Sequence, residues 1–181
     1  MIVRATAPAD AAGLAEVYAD AVLHGLGTFE EHPPSPAEME ARRARVAAHG
    51  LPHLVAEEDG RVLGFAYAAP FRPRPAYRYT AEDTVYVHPD AKGLGVGRTL
   101  LGAVVEGARG LGLRQLVALI GDSGNAASIG LHAALGFEPA GLLPAVGFKQ
   151  GRWVDVVWMR LALNGGDAAP PSGEGLNLQE S

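Results

Sequence analysis

The sequence predicts one mixed α/β domain whose first half is an antiparallel sheet, and three features carry that expectation. Two β-type runs, residues 54–57 and 62–68, flank Asp59-Gly60, a pair that favours a two-residue hairpin turn. Apolar residues recur at helical spacing in two places, Leu14-Val17-Tyr18-Ala21-Val22 and Leu100-Leu101-Val104-Val105-Ala108. The continuous apolar run 116–120 reads as a strand buried on both faces. This order lacks the strict strand–helix alternation of a doubly wound fold.

Each element has its own local reason. Residues 2–4 can open a first strand, and the stripe from Leu14 to Val22 marks the first helix. Ser35-Pro36-Ala37-Glu38 is a capping box with proline at the first helical position, so a second helix starts there. After the hairpin comes a loop, residues 70–79, stiffened by Pro70, Pro73 and Pro75. Residues 84–87 form a short β-type run that ends before Pro89. The third helix and the 116–120 strand follow. A fourth helix runs to about Leu135, with Gly136 as its C-cap. Late strands are expected around Phe148 and over 153–161, joined near Gln150-Gly151. The domain is therefore drawn at 1–163, and the polar, glycine- and proline-rich stretch 164–181 is expected to be a mobile tail.

Composition excludes several classes of function. Almost half of the 181 residues are apolar, enough for a substantial core. A formal net charge of -5 argues against a nucleic-acid or anionic-membrane partner, so any cationic binding site must be local. With no cysteine, the chain has no disulfide, thiolate metal site or cysteinyl intermediate. The six histidines show no metal-ligand spacing, so no metal is expected. Met1-Ile2-Val3-Arg4 is unlike a secretory leader, and no stretch is apolar and long enough to span a bilayer. A cytoplasmic location is the expectation.

The main chemical signal is Lys92-Gly93-Leu94-Gly95-Val96-Gly97-Arg98, between a strand and a helix. Small residues let backbone N–H groups converge on an anion, and the helix adds its positive dipole end. Together they suit a pyrophosphate. A Walker loop requires Lys-Ser or Lys-Thr after the last glycine, and Arg98-Thr99 stands there instead. A dinucleotide fingerprint belongs near the start of a βαβ unit, whereas these glycines lie in mid-chain. A plain glycine-rich turn is the third reading.

The surroundings favour a phosphate-binding role. Val85-Tyr86-Val87-His88-Pro89, then Lys92-x-x-Gly95-x-Gly97 and Leu100-Leu101, resembles the coenzyme A signature of the GNAT N-acetyltransferases, with Lys92 where that pattern has Arg or Gln. The stretch Tyr77-Arg78-Tyr79-Thr80-Ala81-Glu82-Asp83-Thr84-Val85-Tyr86-Val87 resembles the branch that acetylates phosphinothricin, methionine sulfoximine or methionine sulfone. So do Asn125-x-x-Ser128, Leu131-His132-Ala133-Ala134-Leu135-Gly136-Phe137 and Val146-Gly147-Phe148-Lys149-x-Gly151-x-Trp153-x-Asp155-Val156. The resemblance covers roughly residues 2–163.

It implies a central mixed sheet splayed between strands four and five and flanked by helices. It also implies acetyl-CoA as cosubstrate, a small amino-acid acceptor and a homodimer. Residue by residue, it implies Glu82 as general base and His132 beside the reacting centre. Val85, Tyr86, Val87, the turn from Lys92 to Arg98, Asn125 and Ser128 would face the cosubstrate. Phe29, Arg72, Arg74 and Tyr77 would face the acceptor.

Plainer roles stand beside each of these. Glu82 could be a solvated carboxylate at a strand end, His132 a structural helix residue, and Asn125 a helix cap. Arg72 and Arg74 could be a solvated pair, although the prolines would hold them in place and guanidinium forks suit carboxylates. Tyr77, Tyr79 and Tyr86 could be ordinary sheet tyrosines, and Trp153 and Trp158 core or interface residues. Two other functions remain open from sequence: acetylation of a protein N-terminus or lysine, which needs an open groove, and a non-catalytic acetyl-CoA sensor.

Overall fold

A computed structural model of the chain describes residues 1–178. Seven strands and four α-helices follow one another as β1 (Ile2–Ala5), α1 (Ala11–His24), α2 (Pro36–Ala48), β2 (His53–Glu58), β3 (Arg61–Pro70), β4 (Thr80–Val87), α3 (Val96–Gly110), β5 (Gln115–Gly121), α4 (Ala126–Ala134), β6 (Glu138–Lys149) and β7 (Arg152–Ala162). The strands form a single sheet in the order β1-β2-β3-β4-β5-β7-β6. Every pairing is antiparallel except β4 with β5.

That parallel pairing is short, and its shortness makes the site. β4 and β5 are in register only over Thr80–Glu82 and Gln115–Val117. Beyond Glu82 the two strands part, while β4 stays paired to β3 as far as Val87 and β5 to β7 as far as Gly121. The edge of β4 that faces β5 is thus left open from Asp83 onward.

Strand alternation sends side chains to two cores. On one face, Leu14, Val17, Tyr18 and Val22 of α1 and Met39 of α2 pack on Val55 and Phe65. On the other, Leu100, Val104 and Ala108 of α3 lie on Ala66, Ala68, Ala81 and Leu116. The alanines let α3 approach the sheet closely. Ser35 caps α2 as expected, its Oγ accepting from the Glu38 amide at 3.2 Å. The hairpin turn also stands, with Asp59 and Gly60 both at positive φ.

Three expectations are corrected. β4 begins at Thr80, not Thr84, so Glu82 lies inside the strand and not before it. β6 is twelve residues long, where only a segment around Phe148 was expected. Pro139, Gly141, Pro144 and Gly147 break its alternation, and the pairing with β7 is irregular at Pro139/Gly141 and Leu143/Gly147. Finally, residues 164–178 lie against the body where a mobile tail was expected. Arg114 donates to the carbonyls of Gly166 and Ala169, Tyr79 Oη donates to the Gly173 carbonyl, and Leu176 is buried. Residues 179–181 of that stretch lie outside the described residues.

β6 is also an edge strand with an exposed apolar surface. Leu142, Leu143, Val146 and Phe148 are exposed, as is Trp153 on β7, which packs edge-on to Phe148 and is not a core residue.

Candidate active site

Where β4 and β5 part lies a cleft of about 1050 Å³, walled by β4, β5, the start of α3, one face of α4 and the loop after α1. One end of it is the glycine turn. Gly93 and Gly95 both adopt a left-handed φ of 81°, and Gly95 is the N-cap of α3. A side chain there would be strained, and the glycines turn the chain so that the first amides of α3 open into the cleft. These N–H groups and the helix dipole suit a pyrophosphate. Lys92, Gly93, Gly95, Val96, Gly97 and Arg98 all line the cleft. Leu94 does not, and its side chain stands out in solvent. Val85, Tyr86 and Val87 form the β4 wall, with Asn125 and Ser128 across from them. Asn125 also caps α4, accepting from the Ser128 amide at 3.1 Å, and still lines the cleft.

Glu82 and Asp83 are neighbours on β4 and therefore point to opposite faces of the sheet. Glu82 shares its face with Tyr67, Thr84 and Tyr86. Its carboxyl is partly buried, and that burial raises its pKa. Arg72 lies 3.9 Å away and pulls in the other direction. Desolvation wins, which suits a carboxylate that must take a proton near neutrality.

Asp83 points to the α4 side and meets His132 there. His132 Nε2 lies 2.9 Å from Asp83 Oδ2, and the two side chains are only 3% and 1% exposed. The other ring nitrogen, Nδ1, lies 2.7 Å from the Ser128 carbonyl. A carbonyl only accepts, so Nδ1 carries a proton, and the state of the pair rests on the single proton between Nε2 and Oδ2. Burial alone would lower the His132 pKa, but the hydrogen bond and charge of Asp83 outweigh it and raise the pKa. Asp83 Oδ1 is buried with no protein donor. Asp83 was not foreseen from sequence. The available signal was its position, since a carboxylate next to Glu82 on an apolar strand must face the core and find a partner.

The residues expected to face the acceptor lie on two loops. Arg72 donates to its neighbour's carbonyl, Phe71 O, at 2.8 Å and lies over the Phe71 ring, which fixes the guanidinium near Glu82. None of Arg72, Arg74 and Tyr77 lines the cleft, and of the three only Arg72 reaches Glu82. Arg74 has no ion-pair partner among the described residues, and Tyr77 packs edge-on to Phe71 with an exposed ring. Phe29 lies outside the cleft wall but against the backbone of β6, and a Cβ on Gly147 would fall 2.7–2.9 Å from its ring atoms. Glycine is needed there for that close approach. Lys149, unremarked in the sequence as a site residue, secures the same loop. Its side chain is buried, and Nζ donates to the carbonyls of Gly25 at 2.9 Å and Thr28 at 2.8 Å. Gly25, Gly27 and Thr28 line the cleft, so this lysine ties the cleft's roof to the β6–β7 hairpin.

Among the described residues no group of three or more His, Asp or Glu side chains is arranged to hold a metal ion.

Comparison with known proteins agrees with this geometry. Residues 19–137 match the Acetyltransferase (GNAT) family. The chain is 54% identical over 169 residues to a phosphinothricin N-acetyltransferase of Alcaligenes faecalis, covering 93% of this chain and 86% of the relative. It is 44% identical over 169 residues to an L-methionine sulfoximine/L-methionine sulfone acetyltransferase of Pseudomonas aeruginosa, covering 93% and 98%. In structure it is similar to a GNAT phosphinothricin acetyltransferase from Sinorhizobium meliloti solved with acetyl-CoA, with a TM-score of 0.92, 43% identity and coverage of 96% and 94%. The chain, with its β4–β5 cleft and glycine turn, belongs to the GNAT acetyltransferase family and is an acetyl-CoA-dependent N-acetyltransferase.

Proposed function

We propose that the chain acetylates the α-amino group of a small amino-acid analogue of the phosphinothricin or methionine sulfone type, by direct attack of the amine on acetyl-CoA. One observation carries the reading: a partly buried carboxyl, Glu82, stands 3.9 Å from a fixed guanidinium, Arg72, where β4 and β5 part. The two groups match the ammonium and the carboxylate of one α-amino acid. The relatives named for such acceptors support the same class.

An ammonium cannot attack a thioester, so one proton must leave first. Glu82, with its raised pKa, is the base, directly or through a water. Arg72 holds the acceptor's carboxylate in a charge-assisted contact. The glycine turn and the first amides of α3 hold the pyrophosphate of acetyl-CoA, which supplies the activated acetyl group. A backbone N–H freed where β4 leaves β5, near Val87, would receive the developing oxyanion. Holding both reactants in one cleft contributes much of the remaining advantage. His132 has both ring nitrogens committed, so its role is to orient α4 against β4, and the base is Glu82 alone.

The exposed apolar edge of β6 supports a homodimer formed through that hairpin. No helix among the described residues is long and apolar enough to cross a membrane, and we place the enzyme in the cytoplasm. The test is a panel of amines assayed for release of coenzyme A, including phosphinothricin, methionine sulfone, simple alkylamines and a peptide N-terminus. Turnover confined to free amino acids supports the reading. Faster turnover of uncharged alkylamines or peptides contradicts it.

A further inference from the structure

After β7 the chain runs to the stem of the loop that carries Arg72, and three fastenings hold it there. Asn164 Nδ2 donates to the carbonyls of Arg109 and Leu113 at 2.9 Å and 3.0 Å. Arg114 donates to the Gly166 carbonyl through Nε and to the Ala169 carbonyl through Nη2, both at 2.8 Å. Residues 173–176 then lie on Arg78 and Tyr79. Tyr79 Oη donates to the Gly173 carbonyl at 2.7 Å, and the Leu176 amide donates to the Arg78 carbonyl at 2.8 Å. Gly175 lies between these two contacts with a left-handed φ of 72°. A Cβ on it would fall 2.8 Å from both the Arg78 carbonyl oxygen and the Tyr79 ring, so the close approach requires glycine. Leu176 is buried in the core beneath α3 and anchors the end.

Arg78 and Tyr79 form one stem of that loop, and Tyr79 stands three residues before Glu82. The other stem is Phe71, whose amide donates to the Thr80 carbonyl at 3.4 Å and whose ring packs edge-on to Trp158. Between the stems Pro73 and Pro75 fix φ, so the loop moves as one piece. Arg78 closes the turn at Pro75, to whose carbonyl its amide and its Nη1 both donate at 3.1 Å. The ring of Tyr77, next in sequence, packs edge-on to Phe71, and the Phe71 ring carries the Arg72 guanidinium at 4.3 Å. Arg72 in turn ends 3.9 Å from Glu82. A continuous run of packed groups therefore joins Gly173–Leu176 to Arg72 through Arg78, Tyr77 and Phe71. No residue of the segment 164–178 lines the cleft itself.

We infer that residues 164–178 are a brace that positions Arg72, so that affinity for the acceptor is set in part by a segment outside the cleft. Gly173, Gly175 and Leu176 are positioning residues, since they act through Arg78 and Tyr79 and touch neither reactant. The inference rests on the reading that Arg72 holds the acceptor's carboxylate. The cosubstrate end of the cleft is remote from the brace. The fastening at Arg109 lies near the C-terminus of α3, roughly 20 Å along the helix axis from the amides at its start. Loosening the brace therefore acts on the acceptor and spares acetyl-CoA.

The test uses full-chain variants with methionine sulfone as acceptor, and reads acceptor KM, kcat and the acetyl-CoA Kd by titration calorimetry. Gly175→Val drives a side chain against the Arg78 carbonyl. It should raise the acceptor KM about two- to tenfold, the range set by one hydrogen bond, and leave kcat and the acetyl-CoA Kd within about twofold of native. If that variant fails to fold, Tyr79→Phe keeps the ring, removes only the bond to Gly173 and should shift the acceptor KM in the same range. Each variant is then made in an Arg72→Ala background, where the rise should vanish because the brace acts through Arg72. A native acceptor KM in the folded variants overturns the inference. So does an equal rise with and without Arg72, which would make the segment a general support of the fold. Failure of the underlying reading looks different: Arg72→Ala alone would then keep the native acceptor KM.

Discussion

The Asp83–His132 pair gives a sharp energetic prediction. Replacing His132 by leucine leaves Asp83 Oδ2 without its donor at 2.9 Å, while Oδ1 already has none. The carboxyl is 1% exposed, so water cannot stand in. Removing one partner of a buried ion pair costs about 3–5 kcal/mol, because the other charge stays buried and unmatched. For a chain of this size about 1 kcal/mol corresponds to 2–4 °C in Tm, so the loss should be roughly 6–20 °C. Replacing both residues by leucine removes the stranded charge, and buried pairs exchanged for apolar groups of similar volume are often near neutral. Asp83→Leu/His132→Leu should therefore unfold at higher temperature than His132→Leu alone. Calorimetry of native, both single variants and the double variant closes the cycle. If the two single losses simply add in the double variant, or if His132→Leu costs under ~1 kcal/mol, the pair is not the coupled unit described. The pH sign follows from the raised His132 pKa. The pair's stabilisation is full below the unfolded histidine value of about 6.5, and is lost as pH rises through the higher folded value.

Three further outcomes follow. Arg72 lowers the Glu82 pKa against the larger effect of burial, so Arg72→Met should move the acidic limb of the kcat/KM–pH profile to higher pH; a downward move would refute the pairing. Gly97→Val should weaken acetyl-CoA binding at least about tenfold, or ~1.4 kcal/mol by titration calorimetry, because the added bulk lies at the first amides of α3 and meets Leu131 and Val87 at 3.3–3.4 Å. Lys149→Met should leave two loop carbonyls without their donor, at about 1–3 kcal/mol each. It should also raise the acceptor KM more than it lowers kcat, as steady-state kinetics on the folded variant would show.

The fold was legible wherever local chemistry acts alone. Asp59-Gly60 needs positive φ at both positions, and Ser35 caps the helix that follows it, so hairpin and helix could be placed from sequence. β6 could not, because its prolines, glycines and bulges hide a strand whose pairing is decided by β7. In the site, the glycine turn was readable since its small residues serve one backbone geometry. Glu82 and His132 were both singled out from sequence, but their placement on opposite faces of the sheet was not. Adjacent strand positions face opposite ways, and only the folded sheet shows that His132 belongs to Asp83. Arg72 and Arg74 looked equivalent, yet the stacking on Phe71 and the turn at Pro75 bring only Arg72 toward Glu82. The tail was misjudged because its composition is that of a flexible segment, while its contacts come from Arg114 and Tyr79, far away in sequence.

The central claim is that Glu82 takes the proton from the acceptor amine. Glu82→Gln preserves the side chain's shape and removes its basicity. Its kcat with methionine sulfone, measured against pH beside the native enzyme, should fall by ~10²–10⁴ and lose the acidic limb, with acetyl-CoA affinity nearly unchanged. A folded Glu82→Gln protein with native kcat and an unaltered acidic limb would contradict the account.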